Sequence, residues 1–558
     1  MQVTKRSTDG FLEICQGIAG SSRIVAAFLY GPSVCGYAHA ESDLDILLIV
    51  SGLGSRLKTY KKSLGGTDAF ILAVDQGMFE RDVRAGWLGE ITAEKLLIPF
   101  DPLVNAEYLW QQEVTMKRRV IWEVLESIAL EFPELSRELS IKPEYFMYES
   151  QMQLARLFPP VAFRFINMLQ SDVKDRNVES MMKGYRKALE ELSKEKWITF
   201  SNGLVRISPK FVSAFKSRKI RLPIFLRAVQ RAAFLHVFSA LPRMMTPLGF
   251  EEEIYFKTHA DIEKHEDVTL QLEDPKKYLL MSTPLGPVPL SDATTIEEFV
   301  RKTVPGNVTF RETKQIGGIF NSVYELTLKR NSHEQRIVVK KFKDWTGFKW
   351  FPLTLWSLGT KTFAVLGKSR LEREYAINQY MKNNGLNVPR VLYISLKQSL
   401  IFEEYVDGKN LTETIRNIVS AKDSMAGELE LIRETGRKIA ETHQIGVSLG
   451  DCKPENIIVT RDREICFVDL EQATRDGDQT WDIAEFLYYS GHYVPPLATA
   501  DQIVLLAKVF LEGYIERGGD LQTVKKVASP RYTKVFSLFT QPHIMLAIST
   551  LCRKMNQK

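Results

Sequence analysis

The stretch of sequence richest in chemically useful side chains covers residues 450–473 and reads GDCKPENIIVTRDREICFVDLEQA. One loop in it contains Asp451, Lys453 and Asn456, and Asp469 comes directly after the apolar run EICFV. Phosphoryl transfer needs a carboxylate that orients the attacking hydroxyl, together with carboxylate and amide oxygens that hold magnesium. Asp451 suits the first role, and Asn456 and Asp469 suit the second. The stretch therefore predicts a phosphotransfer site.

Two residues further upstream extend this predicted site. Lys340 ends the β-rich run RIVVK, from which its ammonium can reach the α- and β-phosphates of a nucleotide. Glu374 lies in the predicted helix RLEREYA, where its carboxylate can pair with Lys340 and hold it in place. A strand, a helix and a loop must therefore meet at one point.

These residues make the C-terminal half, residues 303–558, resemble a protein-kinase-fold enzyme. GDCKPEN is similar to the catalytic loop of that family, and VDLE stands where Asp-Phe-Gly usually stands. Six residues appear in the order of the family: Lys340, Glu374, Asp451, Lys453, Asn456 and Asp469. The resemblance implies a two-lobed fold and the use of ATP and Mg²⁺. It also implies nucleotide contacts from a reduced glycine loop, IGGIFNSVYEL, which contains Gly317 and Gly318.

The departures from the family pattern narrow the class of kinase. Leu449 and Gly450 replace the usual His-Arg, and WDIAEFLYY begins twelve residues after Asp469 with no Ala-Pro-Glu following it. An extended segment for docking a peptide is therefore not expected. The compact pattern resembles the atypical kinases, namely the RIO type and the small kinase subunit of the tRNA-threonylcarbamoyladenosine complex.

The acceptor of the phosphoryl group stays open. Aminoglycoside and choline phosphotransferases share the fold and the Asp-x4-Asn spacing, so a small-molecule acceptor is one alternative. Lys453, two residues after the catalytic Asp, is typical of protein Ser/Thr kinases and favours a protein acceptor. Glu471 stands where a kinase has glycine and bears on the metal geometry. A regulatory scaffold that binds nucleotide without turnover is the alternative from another class.

A second phosphate-handling pattern lies near the start of the chain, in YGPSVCGYAHAESDLDILLIV at residues 30–50. A strand leads into a turn at Gly31 and Ser33, whose backbone amides and hydroxyl can hold a triphosphate. Asp43 and Asp45 follow at i and i+2 on the next strand, and the alternation of a strand puts both on one face, where they can share a divalent metal.

This pattern resembles the polymerase-beta-type nucleotidyltransferase superfamily, whose motif is Gly-Ser, a spacer and Asp-x-Asp. The resemblance implies a second nucleoside triphosphate and a third carboxylate from a neighbouring strand. The run TDAFILAVD offers Asp68 or Asp75, with a slight preference for Asp68. A nucleotidyltransferase fold that only binds nucleotide is the main alternative.

Length and periodicity set the expected organisation of the 558 residues, which exceed what one core can serve. We expect a multidomain protein of mixed α/β and α+β class. Residues 1–109 form a small nucleotidyltransferase-like α/β domain, residues 110–246 a helical region, residues 247–302 a connector, and residues 303–558 the two-lobed kinase-like domain.

The helical region, residues 110–246, contains a third resemblance, to a DNA- or RNA-binding type of module. The helix ESMMKGYRKALEELSKE is followed at once by the hairpin pattern KWITFSNGLVRIS, and this order resembles a winged-helix module. Lys183, Arg186 and Lys187 on that helix are candidates for contact with RNA or DNA phosphates, whereas a module that packs against protein is the equally weighted alternative. The combination of modules suggests work near RNA or translation.

Net charge, cysteine content and hydropathy limit the partners and the location that we expect for the chain. The net charge of +6 is slight and permits a phosphate-bearing partner without requiring one. Five scattered cysteines without a CxxC pair, and a start without the apolar core of a signal peptide, favour the cytoplasm. Lys361 interrupts the most apolar stretch, residues 350–367, so no membrane insertion is expected.

Overall fold

The computed structural model of the chain describes residues 5–39, 42–54, 56–64, 67–157, 160–217, 272–303, 311–315, 321–330, 333–344, 364, 366–420, 425–495 and 498–555. The chain divides into two compact units. The first unit comprises Met1–Glu131 and Ser140–Leu279, and the second comprises Phe132–Leu139 and Leu280–Lys558. A short early segment of the chain thus belongs to the same unit as the C-terminal half.

A mixed five-stranded sheet organises the start of the first unit. Its strands lie in the order Leu57–Leu64, Thr67–Asp75, Leu44–Ser51, Arg23–Tyr30 and Asp101–Val104. The pair formed by Leu44–Ser51 and Thr67–Asp75 is parallel, and the other neighbours are antiparallel. The buried residues of the central strands are nearly all apolar, which explains why they read as strands in the sequence.

Helices complete the first unit. The helix Lys5–Ala19 buries Phe11, Cys15 and Ala19, which recur every four residues and pack in one core with the sheet. The other helices are Pro32–Cys35, Gln76–Ala85, Ala106–Glu131, Glu144–Leu157, Pro160–Met168, Lys174–Lys194 and Pro209–Ser217, with 3₁₀ turns at Ala93–Leu97 and Pro275–Tyr278.

A hairpin follows the helix Lys174–Lys194 at the position that the sequence indicates. Its strands are Ile198–Ser201 and Leu204–Ile207, and Ser140–Ile141 pairs with the second of them. Asn202 and Gly203 form the turn with φ of 51° and 75°. Positive φ at both central residues is the geometry that an Asn-Gly hairpin turn requires.

The second unit contains another five-stranded antiparallel sheet. Its strands lie in the order Arg311–Gln315, Asn321–Arg330, His333–Phe342, Leu400–Glu404 and Val391–Ser395. The helix Gly367–Asn383 contacts three of these strands and has buried residues on every side. The second unit also contains a short 3₁₀ turn at Leu135–Arg137, the strands Leu279–Thr283 and Gly286–Pro289, and the helix Ile296–Thr303.

The remainder of the second unit is largely helical. Its helices are Leu411–Ser420, Ala426–Gln444, Gln479–His492, Asp501–Glu516, Leu521–Lys526, Pro530–Phe536 and Pro542–Lys554, with a 3₁₀ turn at Pro454–Asn456. Short strands lie among them, in one three-stranded sheet of Gly408–Asn410, Ile457–Thr460 and Ile465–Phe467 and in one pair of Val447–Ser448 and Thr474–Arg475.

Two glycines permit a close contact between the helices Ala426–Gln444 and Asp501–Glu516. A Cβ added to Gly436 would lie 2.2 Å from the carbonyl oxygen of Phe510, and one added to Gly513 would lie 2.2 Å from that of Arg433. The two helices therefore meet backbone to backbone, which any larger residue would prevent.

Two sequence expectations concern the whole chain. Among the described residues, no helix combines the length and the apolar composition that a membrane crossing requires. All five cysteines have free thiols and are buried.

Candidate functional site

Lys340 and Glu374 are in direct contact. Lys340 lies on the strand His333–Phe342, and Glu374 lies on the helix Gly367–Asn383. The Lys340 Nζ donates to Glu374 Oε1 at 2.8 Å, and the side chains are 9% and 1% exposed. The strand and the helix are separated by residues 343–366, so packing of the helix on the sheet brings the two charges together.

Two more carboxylates surround the same ammonium. The Lys340 Nζ lies 3.4 Å from Glu403 Oε2 and 3.5 Å from Asp469 Oδ1. Burial alone lowers the pKa of Lys340, but Glu374, Glu403 and Asp469 outweigh burial and raise that pKa well above its usual value. Burial raises the pKa of Glu374, and the other two carboxylates add to the rise. One ammonium therefore faces three carboxyl groups.

The loop that contains Asp451 is short and internally bonded. Lys453 Nζ lies 2.6 Å from Asp451 Oδ1, and Asn456 Nδ2 donates to Asp451 Oδ2 at 3.1 Å and to the Asp451 carbonyl at 3.0 Å. Burial lowers the pKa of Lys453, but Asp451 and then Glu485 raise it above its usual value. One small recess is lined by Asp451, Asn456 and Asp469 among other residues. The structure thus brings Asp451 and Asn456, from the first part of residues 450–473, to the same recess as Asp469, from the last part.

The replacement of His-Arg by Leu449 and Gly450 has a structural reason. Gly450 has φ of 74°, which a residue with a side chain rarely adopts, and Leu449 is buried in the core. The backbone N–H groups of Leu449 and Gly450 both donate to the Asp482 carboxylate at 2.7 Å. Asp478 caps the helix Gln479–His492 that carries Asp482. This helix therefore holds the backbone of the loop in place.

Asp469 and Glu471 differ in their surroundings. Asp469 has φ of 61° and a side chain that is 36% exposed, so a strained backbone holds its carboxylate beside Lys340. Glu471 is not among the residues that line the recess, and it pairs with Arg370, whose Nη1 lies 3.2 and 3.1 Å from the two carboxylate oxygens. Glu471 therefore braces the helix Gly367–Asn383.

The described part of the chain contains no group of three or more His, Cys, Asp or Glu residues arranged to hold a metal ion. Asn456 and Asp469 nevertheless line one recess. A magnesium site of two protein ligands is common where nucleotide phosphates supply further oxygens. Gly317 and Gly318 lie outside the described residues.

The N-terminal motif forms a tight turn against an aspartate. Gly31 has φ of 83°, and a Cβ added to it would lie 2.4 Å from Asp45 Oδ2. Glycine is therefore required here both by the backbone and by the contact. The Ser33 hydroxyl oxygen is buried and has no hydrogen-bond partner among the described residues.

Asp68 and Asp75 lie at opposite ends of one strand. The parallel register pairs Leu44 with Ala69, which sets Asp68 beside Asp43, and Lys61 Nζ lies 3.0 Å from Asp68 Oδ2. Asp75 instead caps the following helix by accepting from the N–H of Gly77, and it also accepts from the N–H of Gly52. Since the described residues contain no cluster of three such carboxylates, Asp43, Asp45 and Asp68 are not gathered into one.

The basic residues of the winged-helix-like part are on an outward face of the helix Lys174–Lys194. Lys183 and Arg186 are exposed, and Lys187 is half-buried. Arg186 forms a two-pronged pair with Glu179, with distances of 2.6 and 2.8 Å. Part of the positive charge on this face is therefore neutralised within the helix.

Sequence reasoning missed the side chains that position the C-terminal site. Glu403, Asp482 and Arg370, the last of which is the partner of Glu471, occupy buried positions next to the predicted residues. A signal existed for two of them, because Glu403 and Asp482 are charged residues inside apolar runs, in LIFEE and WDIAEF. Buried charges are rarely tolerated without a partner. The identity of each partner was not readable from the sequence.

Comparison with known proteins gives matches to kinases. Residues 328–487 match the model of the lipopolysaccharide kinase (Kdo/WaaP) family. The KEOPS complex subunit Bud32 of Pyrococcus abyssi is 33% identical over 111 residues, which cover 20% of this chain and 48% of that protein. A probable serine/threonine-protein kinase BUD32 homolog of Archaeoglobus fulgidus is 25% identical over 140 residues, which cover 25% of this chain and 63% of that protein.

The chain thus spans about half the length of the first relative and less than two thirds of the second. The C-terminal region is similar to phosphotransferases of the atypical kinase type, so that predicted resemblance is confirmed. This similarity implies ATP and, typically, Mg²⁺. The resemblances of residues 1–109 to nucleotidyltransferases and of the following region to a winged helix stay predictions.

Proposed function

We propose that this chain is an ATP- and Mg²⁺-dependent phosphotransferase of the atypical protein Ser/Thr kinase type, with its phosphotransfer site in residues 303–558. The contact between Lys340 and Glu374, with Asp469 beside it, is the observation that carries the proposal. A lysine–glutamate pair next to a metal-binding aspartate is the arrangement that a kinase needs before it can transfer a phosphoryl group. A scaffold that binds nucleotide without turnover would need the Lys340 pair but not the carboxylate of Asp451, so Asp451 is the residue that favours turnover.

The charge of the cluster fits a divalent cation. Lys340 faces the carboxylates of Glu374, Glu403 and Asp469, and one oxygen each of Glu374 and Glu403 is buried without a hydrogen-bond partner among the described residues. Asp469 and Asn456 would hold Mg²⁺, which when bound neutralises charge on the nucleotide phosphates. The surplus of carboxyl groups over cations around Lys340 supports this assignment.

The roles of the remaining residues follow from their contacts. Lys340 would bind the α- and β-phosphates, with Glu374 holding its ammonium in position. Asp451 would orient the acceptor hydroxyl and take its proton on a carboxylate oxygen. Lys453, already 2.6 Å from Asp451, would stabilise negative charge on the transferred group. Asn456 keeps the Asp451 carboxylate in place through its amide.

Two classes of acceptor are supported by different observations. Lys453 and the name of the Archaeoglobus relative, a probable serine/threonine-protein kinase, support a protein hydroxyl. The match to the lipopolysaccharide kinase (Kdo/WaaP) family supports a sugar hydroxyl, in keeping with the small-molecule alternative. We favour the protein acceptor because a lysine two residues after the proposed base, as Lys453 is here, is typical of protein Ser/Thr kinases.

Transfer from γ-labelled ATP tests the proposal. The purified chain is incubated with Mg²⁺ and either a Ser/Thr peptide pool or a panel of sugars, aminoglycosides and choline. Asp451→Asn should lower transfer by about a hundredfold or more, the typical contribution of a positioned acid–base group. Lys340→Met should also lower transfer strongly, because it removes the cation that holds the nucleotide phosphates. Lys409→Met is the matched control, since Lys409 forms an exposed pair with Glu413.

The outcomes separate the candidate functions. Labelling of peptides supports the protein-kinase proposal, and labelling of a sugar or aminoglycoside alone supports the alternative. Equal labelling by wild type, Lys340→Met and Asp451→Asn would refute phosphotransfer at this site. Binding of ATP without transfer to any acceptor, including the chain itself, would favour the scaffold.

For residues 1–109 we propose a nucleotidyltransferase-like domain that binds or transfers a second nucleoside triphosphate. The contact of Gly31 with Asp45 and the buried Ser33 hydroxyl support a phosphate-binding turn beside the aspartates. The register beside Asp43 favours Asp68 over Asp75 as a third carboxylate. Incorporation of α-labelled nucleotide that is lost in Asp43→Ala and Asp45→Ala would support transfer, whereas binding without incorporation would leave a binding domain.

We also retain the division into residues 1–109, 110–246, 247–302 and 303–558 as a proposal, with a winged-helix-like module in the second range. Salt-sensitive binding of RNA or DNA that weakens in Lys183→Ala and Lys187→Ala would support nucleic-acid contact. Binding that is unchanged in both variants would discard this surface.

A further inference from the structure

A short segment that precedes the proposed kinase domain in sequence forms part of the second unit. Phe132–Leu139 belongs to that unit, whereas the helix before it ends at Glu131 and the strand after it begins at Ser140, both in the first unit. We call Phe132–Leu139 the clasp. Its location raises the question of what these residues do beside the proposed phosphotransfer site.

The clasp is bonded to the helix that carries Glu374. The Glu372 Oε1 accepts hydrogen bonds from the backbone N–H groups of Glu134 at 3.2 Å and Leu135 at 3.1 Å. In addition, the ammonium of Lys368, one turn earlier, lies 4.9 Å from the ring centre of Phe132. Glu372 is 4% exposed, so these bonds are shielded from water.

The helix geometry places Glu372 and Glu374 on different sides. Successive residues of an α-helix are turned by about 100°, so residues two apart point in nearly opposite directions. Glu374 points to Lys340 on the sheet, and Glu372 points to the clasp. The helix Gly367–Asn383 is therefore held between two sets of polar contacts.

The clasp also forms ion pairs with Arg475, which follows Asp469 in the chain. The Glu134 carboxylate accepts from the Arg475 backbone N–H at 3.2 Å and from Arg475 Nη1 at 3.3 Å, and Glu138 accepts from Arg475 Nη2. Arg475 belongs to the strand Thr474–Arg475, which pairs with Val447–Ser448 immediately before the Asp451 loop.

Arg475 also contacts the helix that carries Glu374. The Arg475 guanidinium lies 4.2 Å from the ring centre of Tyr380, on the helix Gly367–Asn383. The Arg475 side chain is 5% exposed, and those of Glu134 and Glu138 are 11% and 14% exposed. Buried charge-assisted bonds of this kind fix geometry more strongly than exposed ones. The clasp therefore contacts both the helix that carries Glu374 and the strand Thr474–Arg475, which follows Asp469 in the chain.

We propose that Glu134 and Glu372 are positioning residues, through which the clasp holds the helix Gly367–Asn383 where Glu374 meets Lys340. This inference rests on the proposed phosphotransferase function. In protein kinases the lysine–glutamate pair and the metal-binding aspartate must both be in place, and a phosphorylated loop that pairs with arginine commonly controls this. Here the carboxylate that pairs with the arginine, Arg475, belongs to Glu134, a residue of the chain itself.

A solely structural anchor is the competing explanation, and the two differ in what they predict. An anchor would change the stability of the unit and leave the site unaltered in molecules that are folded. A positioning role predicts that the site itself loosens, because the helix with Glu374 can then move away from Lys340 while the rest of the unit stays folded.

The test uses the full chain with Glu134→Gln, Glu372→Leu and Glu372→Gln. Glutamine at position 372 keeps an oxygen that accepts both N–H groups, whereas leucine keeps only the size. We expect Glu134→Gln and Glu372→Leu to lower kcat/KM for ATP by between about twofold and thirtyfold, the range of measured long-range couplings, and Glu372→Gln to restore most of it. Glu413→Gln, which affects an exposed pair with Lys409, is the matched control.

Hydrogen exchange supplies a readout that needs no phosphotransfer. In Glu134→Gln, amides of the helix Gly367–Asn383 should exchange faster than in wild type, while those of Ala426–Gln444 in the same unit should not change. Unchanged exchange in the helix would overturn the inference, and so would faster exchange with an unchanged kcat/KM. If the wild type transfers no phosphate at all, the proposed function fails, and the exchange result alone then decides whether the clasp holds the helix. If Glu372→Leu does not fold, Glu134→Gln decides both readouts.

Discussion

Replacing Glu471 by glutamine should destabilise the second unit strongly. The Arg370 side chain is completely buried, and its Nη1 lies 3.2 and 3.1 Å from the two oxygens of Glu471, which is itself 7% exposed. Glutamine has the same size but no charge. The buried guanidinium would therefore lose the carboxylate that neutralises it. Breaking a buried ion pair in this way costs about 3–5 kcal/mol, and we expect the lower end because the glutamine oxygen still accepts a hydrogen bond.

A double substitution distinguishes a lost pair from a lost side chain. Arg370→Met alone should cost a similar amount, because it leaves the Glu471 carboxylate buried without the guanidinium. Arg370→Met combined with Glu471→Leu removes both charges. Buried pairs replaced by apolar groups of similar volume are often neutral in stability, so the double variant should lose only about 1 kcal/mol. The loss in the double variant should therefore be much smaller than the sum of the two single losses.

Native-state hydrogen exchange in the full chain measures these differences for the second unit alone. The slowest amides of the helix Gln479–His492, nearly all of whose residues are buried, report the free energy of unfolding of the unit. Glu413→Gln serves as the control, since exposed pairs contribute about 1 kcal/mol or less. The Mg²⁺ dependence of ATP binding is recorded for the same proteins.

Two results would refute the reasoning. One is a Glu471→Gln variant as stable as Glu413→Gln, which would mean that the ion pair contributes little. The other is a double variant whose loss equals the sum of the single losses, because the two charges would then act independently. A large change in Mg²⁺ dependence in the double variant would contradict our view that Glu471 braces the helix and is not a metal ligand.

Four further predictions concern single sites. Burial raises the pKa of Glu372 to about 7, above its value in the unfolded chain. The stability that the protonated Glu372 side chain contributes is therefore present at acidic pH and is lost as pH rises to 7. Glu372→Gln should gain stability relative to wild type between pH 5 and 8, and thermal unfolding across that range measures this gain. Gly450→Ala should lose about 1–2 kcal/mol, measured by denaturant unfolding, because its φ of 74° is left-handed. Gly31→Ala should displace Asp45 and abolish nucleotide binding to residues 1–109, as calorimetry would detect. Asp469→Asn should weaken Mg²⁺ dependence of ATP binding, and ATP affinity titrated against Mg²⁺ checks this.

The local parts of the site were predictable because they depend on near neighbours in the chain. The loop of Asp451, Lys453 and Asn456 is closed by bonds between residues five apart or less, so its spacing alone indicates the cluster. Similarly, the short apolar run EICFV identifies the strand before Asp469, and Ser-Asn-Gly identifies the hairpin of the first unit. The pairing of Lys340 with Glu374 was predictable from the order of residues in a known family.

The sequence by itself determined which residues can handle phosphate and on which elements they lie. The tertiary structure alone decided what surrounds them: Glu403 as a further carboxylate beside Lys340, Arg370 as the partner of Glu471, and Glu134 as the partner of Arg475. Glu134 and Arg475 are 341 positions apart. Side-chain types and spacing do not encode such a contact, because the partner of a buried charge is set by which elements pack together, and that depends on the burial of the whole core.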